Sequence, residues 1–271
     1  MIKYKIEEAG AGFIGHWFYF MITALEKIKK LDQKCLICLD DQNLTDYQIQ
    51  SLEILSHRYE YTTDTSGSIL IPSIKPREFP IINKFKFLKN IFDVSFIPSK
   101  YFIFLRNLFE TSLKLNYQTN IQQFPKKIFI KRAGSHLLKG NSSDASVKNI
   151  KRRQIENENE LESFLLENGF NIIDTSNFHI GDKLLMFRNA DIVLGANGGG
   201  LTYTFYAGTK TKICEIVAKN PHQFIDHYLH QSRVLNLDFY RFDDVNKIDK
   251  FDNIKVDLNI LGNYLKTNNL I

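Results

Sequence analysis

The stretch ADIVLGANGGGLTYTFYAGTKTKICEIVA, residues 190–218, decides the fold of this chain. Residues 191–196 form a short apolar run rich in β-branched side chains. Residues 201–207 have helical composition and are followed by a Gly-Thr pair and a second apolar run. This order predicts a strand, a tight turn, a helix and another strand.

Three consecutive glycines, Gly198, Gly199 and Gly200, occupy the predicted turn. Because they lack Cβ atoms, they let the backbone, or a molecule bound to it, come close at the carboxyl edge of a parallel sheet. The first N–H groups of the following helix have no partner within the helix and favour an anion. Glycine turns also occur without any ligand, so the turn alone leaves an anion site and a plain turn equally open.

The composition is that of a soluble globular protein. With 271 residues, 44% of them hydrophobic and 24% charged, the chain can bury a full core. Its N-terminal apolar stretch, FIGHWFYFMITAL, has only 13 residues and lacks the flanks of a signal peptide. The three cysteines favour a reducing compartment, so we expect a cytoplasmic protein. We place Cys35 and Cys38 in a core strand rather than at a zinc or redox centre.

The charge pattern argues against a nucleic-acid partner. A net charge of +5 is modest for this length, and no long basic run or aromatic RNA-binding signature is present. Between Lys84 and Lys114 many phenylalanines mix with mostly basic charges, as in a helix that lies on a membrane. Ordinary core packing with solvated lysines is the favoured explanation, and peripheral membrane contact stays open.

The predicted elements divide the chain into two halves. The first begins with a strand, followed by a helix over about residues 14–30, and from residue 126 strands and helices alternate regularly. Such alternation implies parallel strands joined by right-handed crossovers. We therefore predict an α/β protein with two Rossmann-like domains, residues 1–122 and 123–271, which face a central cleft. The last helix is a candidate to pack back on the N-terminal domain.

Basic residues lie on both sides of a polar loop in the second half. Lys131 and Arg132 end its first predicted strand, and residues 151–153 precede a helix that Asn157 caps, with Glu160 in the capping-box position. Carboxyl ends of parallel strands share one edge, so these cations and the glycine turn would converge on a pocket suited to a diphosphate. A solvated charge run is the alternative for residues 151–153.

Histidines provide the remaining candidate chemistry. His16 follows a loop of small residues that includes Gly12, stands next to Trp17, and could accept a proton near neutral pH. A helix histidine satisfied by ordinary hydrogen bonds is the alternative. His227 and His230 would share a helix face, but no further ligand pairing is evident, which favours a surface helix. Because no D-x-D triplet occurs, we expect neither a metal nor another cofactor.

These motifs together resemble glycosyltransferase family 61. RRQIENENEL, residues 152–161, precedes LGANGGGLTYTFYAGTKTKICEI, residues 194–216. The order is similar to the family's Arg-rich run, Asn-Glu, a helix, a strand ending in Gly-x-His-Gly-Ala-Gly-Leu, and a later strand with Glu. GHWFYFMITALEKI, residues 15–28, is similar to the family's N-terminal segment, in which a His-Trp pair opens a helix.

The resemblance implies a GT-B fold and an inverting, metal-independent transfer from a nucleotide sugar, usually a UDP-sugar, to a glycan or lipid-linked glycan acceptor. It places Arg153, Asn157, the glycine turn and Glu215 in the donor half and His16 in the acceptor half. The proton-accepting imidazole makes His16 our candidate for the catalytic residue. With the contacts predicted above, the candidate donor residues are Lys131, Arg132, Arg153, Asn157, Asn197, Gly198, Gly199, Gly200, Leu201 and Glu215. The candidate acceptor-side residues are Gly12 and Trp17.

One departure from the family pattern affects the chemistry. Asn197 stands where the family usually has His, and an amide can donate a hydrogen bond but cannot become cationic. The sequence leaves two other functions open. One is a polysaccharide pyruvyltransferase, which takes phosphoenolpyruvate into a basic pocket between two Rossmann-like halves. The other is a noncatalytic module that binds a nucleotide sugar.

The role of His16 can be tested directly. If His16 takes the proton of the acceptor hydroxyl, His16→Ala lowers turnover about a hundredfold or more, since general-base catalysis contributes factors of this size. UDP affinity and thermal stability stay close to those of the wild type. A variant that unfolds would support a core histidine, and full turnover would move the base elsewhere.

Overall fold

The structure is a computed structural model that describes residues 2–6, 17–28, 35–39, 44–72, 97–119, 123–132, 154–219, 227–249 and 253–271. Contacts within the chain divide it into two compact units. The first comprises residues 1–120 together with 179–184, and the second comprises residues 121–178 together with 185–271. Each unit has a parallel sheet of its own, so the predicted α/β class is confirmed.

In the described part of the first unit, four strands form a sheet in the order β3-β2-β1-β4, and all neighbouring strands are parallel. The elements in chain order are β1 (Lys3–Ile6), a π-helical segment (Trp17–Met21), a 3₁₀ helix (Ile22–Ile28), β2 (Cys35–Cys38), α1 (Asp46–Ile54), β3 (Tyr59–Thr62), β4 (Ile69–Ile71) and α2 (Ser99–Asn116).

The first helical segment departs from the regular α-helix that its composition predicts. Trp17, Phe18 and Tyr19 are all buried, with no more than 4% of any of them exposed. Three consecutive residues span about 200° of an α-helix, so one face cannot bury all three. The chain instead combines a π-helical segment with a 3₁₀ helix and packs aromatic side chains on more than one side.

Both closely spaced cysteines are core residues, as predicted. Cys35 and Cys38 lie in β2 as buried thiols. Burial raises the pKa of Cys35, which keeps the thiol protonated and unreactive near neutral pH.

Helix α2 explains the described part of the aromatic and basic stretch. Phe102 and Phe109 are fully buried, and their rings pack edge-on against Tyr19 and Phe18 at centroid distances of 5.6 Å. Core packing therefore accounts for these phenylalanines. Residues 84–96 of the same stretch lie outside the described residues. Within the described ranges, no helix combines the length and the apolar character that crossing a membrane requires.

In the described part of the second unit, five strands form a sheet in the order β6-β5-β7-β8-β9, again with parallel neighbours. The elements from residue 121 onward are β5 (Lys127–Lys131), α3 (Glu158–Glu167), β6 (Asn171–Asp174), a 3₁₀ turn (Thr175–Asn177), α4 (Ile180–Asn189), β7 (Ile192–Ala196), a 3₁₀ helix (Gly199–Tyr206), β8 (Lys212–Ile216), α5 (His227–Val234), β9 (Asp238–Phe242) and α6 (Leu258–Thr267). The predicted strand, turn, helix and strand of residues 190–218 are confirmed.

One face of this second sheet is packed by the helices α3 and α6. Leu161 and Leu165 of α3 and Leu261 and Leu265 of α6 are fully buried in one cluster with strand residues such as Phe129. The predicted packing of the last helix on the N-terminal domain stays a prediction, and the helix completes the core of the second unit. The physical reason is its apolar stripe, which repeats every four residues and matches the apolar side chains of the strands.

Candidate active site

The glycine turn joins β7 to the 3₁₀ helix at the carboxyl edge of the second sheet. A Cβ atom on Gly198 would lie 2.7 Å from Nη1 of Arg132, and one on Gly200 would lie 2.6 Å from Cγ2 of Ile130. Both distances are too short for a real contact. The close approach of Arg132 and Ile130 therefore explains why positions 198 and 200 are glycines.

Two side chains hold consecutive carbonyl groups of this turn. Arg132 donates from Nη1 to the carbonyl oxygen of Asn197 at 2.9 Å, and Tyr228 donates from its hydroxyl to that of Gly198 at 2.6 Å. In a trans peptide the N–H points away from the carbonyl of the same plane. The N–H groups of Gly198 and Gly199 therefore point away from these two side chains.

Strand register places further polar residues on the same face of the sheet. Gly195 of β7 is in register with Ile130 of β5 and with Glu215 of β8, and Glu215 is in register with Arg241 of β9. In-register side chains share a face, and so do side chains two residues apart along a strand. Four residues from four neighbouring chain segments therefore line one edge, and we call them the polar row: Arg132, Asn197, Glu215 and Arg241.

Glu215 is the centre of the polar row. Its side chain is 0% exposed, and both carboxylate oxygens accept hydrogen bonds. Asn197 donates from Nδ2 to Oε1 at 2.6 Å, and Arg241 donates from Nε to Oε2 at 3.2 Å. A carboxylate buried this deeply needs such partners, because the transfer of an unpaired charge out of water is very costly.

Lys131 points to the other face of the sheet, so its predicted convergence with the glycine turn is wrong. Side chains alternate along a strand, and Lys131 is next to Arg132. Its Nζ lies 2.6 Å from Glu162 and 3.6 Å from Glu158, both on α3. The hydrogen bond with Glu162 is the main cause that raises the pKa of Lys131, whereas burial raises the pKa of Glu158 in spite of the lysine. Glu162 is thus the principal partner.

Asn157 stands at the N-cap position of α3, but the predicted capping box does not form. Its side chain makes no capping hydrogen bond to the helix. Nδ2 donates to the carbonyl oxygen of Val256 at 2.9 Å, and Oδ1 accepts from the Val256 N–H at 3.0 Å. The amide ties the segment before α6 to the start of α3, and a contact of Asn157 with a donor stays a prediction.

The acceptor-side candidates are only partly described. Trp17 is 1% exposed, and its Nε1 donates to Oγ of Ser51 at 2.8 Å, so the ring is part of the core of the first unit. This burial leaves the ring no exposed face on which a sugar could stack, and the place of Trp17 on the acceptor side stays a prediction. Gly12, His16 and Arg153 lie outside the described residues.

Leu201 and the histidines have clear places in the structure. Leu201 is fully buried, and its Cδ2 would lie 3.2 Å from a Cβ on Gly195, so it packs the 3₁₀ helix onto the sheet. His227 and His230 belong to α5, as predicted. Within the described ranges, no three His, Cys, Asp or Glu side chains form a group that could hold a metal ion.

Sequence reasoning missed Arg241 and Tyr228. Arg241 lies between aromatic residues in the strand DFYRF, a signal that could have identified it once β9 had been paired with β8. Tyr228 follows His227 directly in the sequence, and its partner is a backbone carbonyl 30 residues away. No sequence pattern predicts such a contact.

Comparison with known proteins identifies the family. The family model Glycosyltransferase 61 matches residues 14–214, most of the chain. The chain therefore belongs to glycosyltransferase family 61 and is a glycosyltransferase, which confirms the resemblance seen in its motifs. Among solved structures, an E. coli heptosyltransferase, WaaC with ADP, is similar at a TM-score of 0.40 with 9% identity, over 99% of this chain and 100% of that one. A search of curated proteins gave no significant match.

The two glycines can be separated by substitution. Gly200→Ala places a methyl group against Cγ2 of a buried isoleucine, so the backbone has to shift, and overpacking of this kind costs about 1–3 kcal/mol in the free energy of unfolding. Gly198→Ala meets the end of the Arg132 side chain, which can move aside when its hydrogen bond to the Asn197 carbonyl breaks, and it costs less, about 0.5–1 kcal/mol. Urea unfolding followed by circular dichroism measures both. Equal losses for the two variants would contradict the different roles.

Proposed function

We propose that this glycosyltransferase binds a UDP-sugar at the glycine turn and the polar row of its second unit. The sugar is transferred, with inversion and without a metal ion, to a hydroxyl group of a glycan or lipid-linked glycan. The observation that carries the proposal is the guanidinium of Arg132, which lies against the glycine turn at 2.9 Å from the Asn197 carbonyl. Such a cation at the carboxyl edge of a parallel sheet suits a diphosphate.

The leaving group sets the chemical demand on this site. As the bond between the anomeric carbon and the diphosphate breaks, negative charge develops on the departing oxygen. Without a metal, fixed cations and N–H groups have to stabilise it, and they are effective when they are in place beforehand. Hydrogen bonds from Arg132 and Tyr228 to the carbonyl groups of Asn197 and Gly198 hold the turn in place.

Asn197 has a positioning role in this proposal. Its Nδ2 donates to Glu215 at 2.6 Å, and its side chain is buried, with 8% of the residue exposed. An amide cannot supply the positive charge that a histidine could supply at this position. We therefore assign the stabilisation of the diphosphate to Arg132, and to Arg153 as a further candidate from its place in the sequence.

The acceptor half completes the reaction. The acceptor oxygen attacks the anomeric carbon from the side opposite the diphosphate and gives its proton to a base, for which we propose His16. The bond to the acceptor forms as the bond to UDP breaks, which inverts the anomeric configuration. We place this reaction in the cytoplasm. The aromatic and basic stretch remains a candidate for contact with a membrane that carries the acceptor.

Family membership favours glycosyl transfer over the pyruvyltransferase alternative. A noncatalytic module differs from the enzyme in one measurable respect. Both would be stabilised by UDP in a thermal shift, but only the enzyme releases UDP from a UDP-sugar when an acceptor is present.

Adjacent cations on opposite faces of β5 provide a matched test of the donor site. Arg132→Met removes a charge-assisted contact worth about 1.5–3 kcal/mol, so the affinity for UDP falls about tenfold or more. Lys131→Met removes an equal charge one residue away but on the α3 side, and it leaves UDP affinity within about twofold. Titration calorimetry with UDP measures both. Equal losses would refute the assignment to Arg132.

The metal-free mechanism is tested by chelation. Because no D-x-D triplet is present, transfer from UDP-sugars should continue in EDTA at its full rate. Complete loss of transfer that Mg²⁺ or Mn²⁺ restores would exclude the mechanism, and a matched sample with EDTA already saturated by Ca²⁺ controls for other effects of the chelator.

A further inference from the structure

We propose that Arg241 is a positioning residue of the donor site: it compensates Glu215, so that Asn197 stays fixed and the polar row keeps the net positive charge that a diphosphate requires. The proposal rests on the proposed function and extends the site to the last strand of the sheet. Arg241 lies beyond residues 14–214, the part of the chain that the family model matches.

The position of Arg241 follows from the sheet. β9 is the neighbour of β8, and the two strands run parallel with Arg241 in register with Glu215. The guanidinium Nε donates to Oε2 of Glu215 at 3.2 Å, and the arginine side chain is 22% exposed while the carboxylate is 0% exposed. The arginine thus connects a fully buried charge to the surface of the unit.

Helix α6 fixes the backbone at this point. The hydroxyl group of Tyr264 donates to the carbonyl oxygen of Arg241 at 2.9 Å, and the Tyr264 ring packs on Phe242 at a centroid distance of 5.2 Å. The guanidinium also lies 5.5 Å from the centre of the Phe239 ring. Both the backbone and the side chain of Arg241 are therefore held by neighbours.

The signs of the charges explain why the arginine is required. Among the four side chains of the polar row, Arg132 and Arg241 are positive, Glu215 is negative and Asn197 is neutral. The row carries one net positive charge, and this charge falls to zero without Arg241. A buried carboxylate without its cation would then repel a diphosphate bound at the same edge, and it would also lose the group that fixes one of its oxygens.

The same arrangement connects Arg241 to the glycine turn. Glu215 accepts from Nδ2 of Asn197, and the backbone N–H of Asn197 donates to the carbonyl oxygen of Ile216 at 2.9 Å. The residue that opens the turn is thus held to β8 through its side chain and its backbone. If Glu215 moved, the hydrogen bond that holds the Asn197 side chain would be lost.

The test compares charge-removing and charge-balancing variants by titration calorimetry with UDP. We expect Arg241→Met to weaken UDP binding about tenfold or more, and Arg241→Lys, which keeps the charge, to stay within about threefold. The double variant Arg241→Met with Glu215→Gln restores one net positive charge and should return to within about threefold of the wild type.

Arg233→Met is the matched control, because Arg233 is an exposed arginine on α5 and its loss should leave UDP binding unchanged. A double variant that binds as weakly as Arg241→Met alone would overturn the proposal, since it would show that Arg241 contacts the diphosphate itself or acts only on the fold. Wild-type affinity in Arg241→Met would overturn it as well.

Two further outcomes are distinguished by the same set of variants. If Arg241→Met does not fold because Glu215 is left buried and unpaired, the charge-balanced double variant and Arg241→Lys decide the question, since thermal unfolding should show both to be folded. If the wild type does not bind UDP at all, the proposed function has failed. A wild type that binds UDP, with folded variants that do not follow the expected order, refutes only the role of Arg241.

Discussion

The buried carboxylate of Glu215 needs polar partners, and this requirement determines how the carboxyl edge of the second sheet is built. Glu215 has no exposed surface, and an isolated charge in that position would be too costly to keep. Asn197 and Arg241 each bond one of its oxygens, and they come from the strands or turns on either side. Because the Glu215 carboxylate binds both Asn197 and Arg241, the positions of the glycine turn and of the last strand depend on each other.

The glycine turn is also held by Arg132, at the end of β5. Arg132 comes so close to the turn that a methyl group on Gly198 would overlap its guanidinium, and it holds the Asn197 carbonyl at 2.9 Å. The two polar ends of Asn197 are thus bound by different parts of the sheet: the backbone carbonyl by the end of β5 and the side-chain amide by β8. A diphosphate would meet a turn whose conformation is fixed before binding, which is the condition for effective electrostatic stabilisation.

The two faces of the second sheet carry different kinds of side chain. On one face, α3 and α6 cover apolar strand residues, and Lys131 is paired with Glu158 and Glu162 of α3. On the other face lies the polar row. Consecutive residues of a strand point in opposite directions, so the adjacent cations Lys131 and Arg132 serve the core side and the proposed site respectively.

The sequence by itself determined the α/β class, the strand, turn and helix of residues 190–218, and the family, because hydrophobic periodicity and short glycine motifs are local signals. It also identified Arg132, Asn197 and Glu215 as candidate donor residues, whose binding of a donor stays a prediction. It could not reveal the partners of Lys131, Asn157 and Trp17, which are Glu162, Val256 and Ser51, since each partner lies more than 30 residues away. Only the tertiary structure decided which charges meet. Strand register joins Arg241 to Glu215, and register is fixed by the packing of both sheet faces rather than by neighbours along the chain.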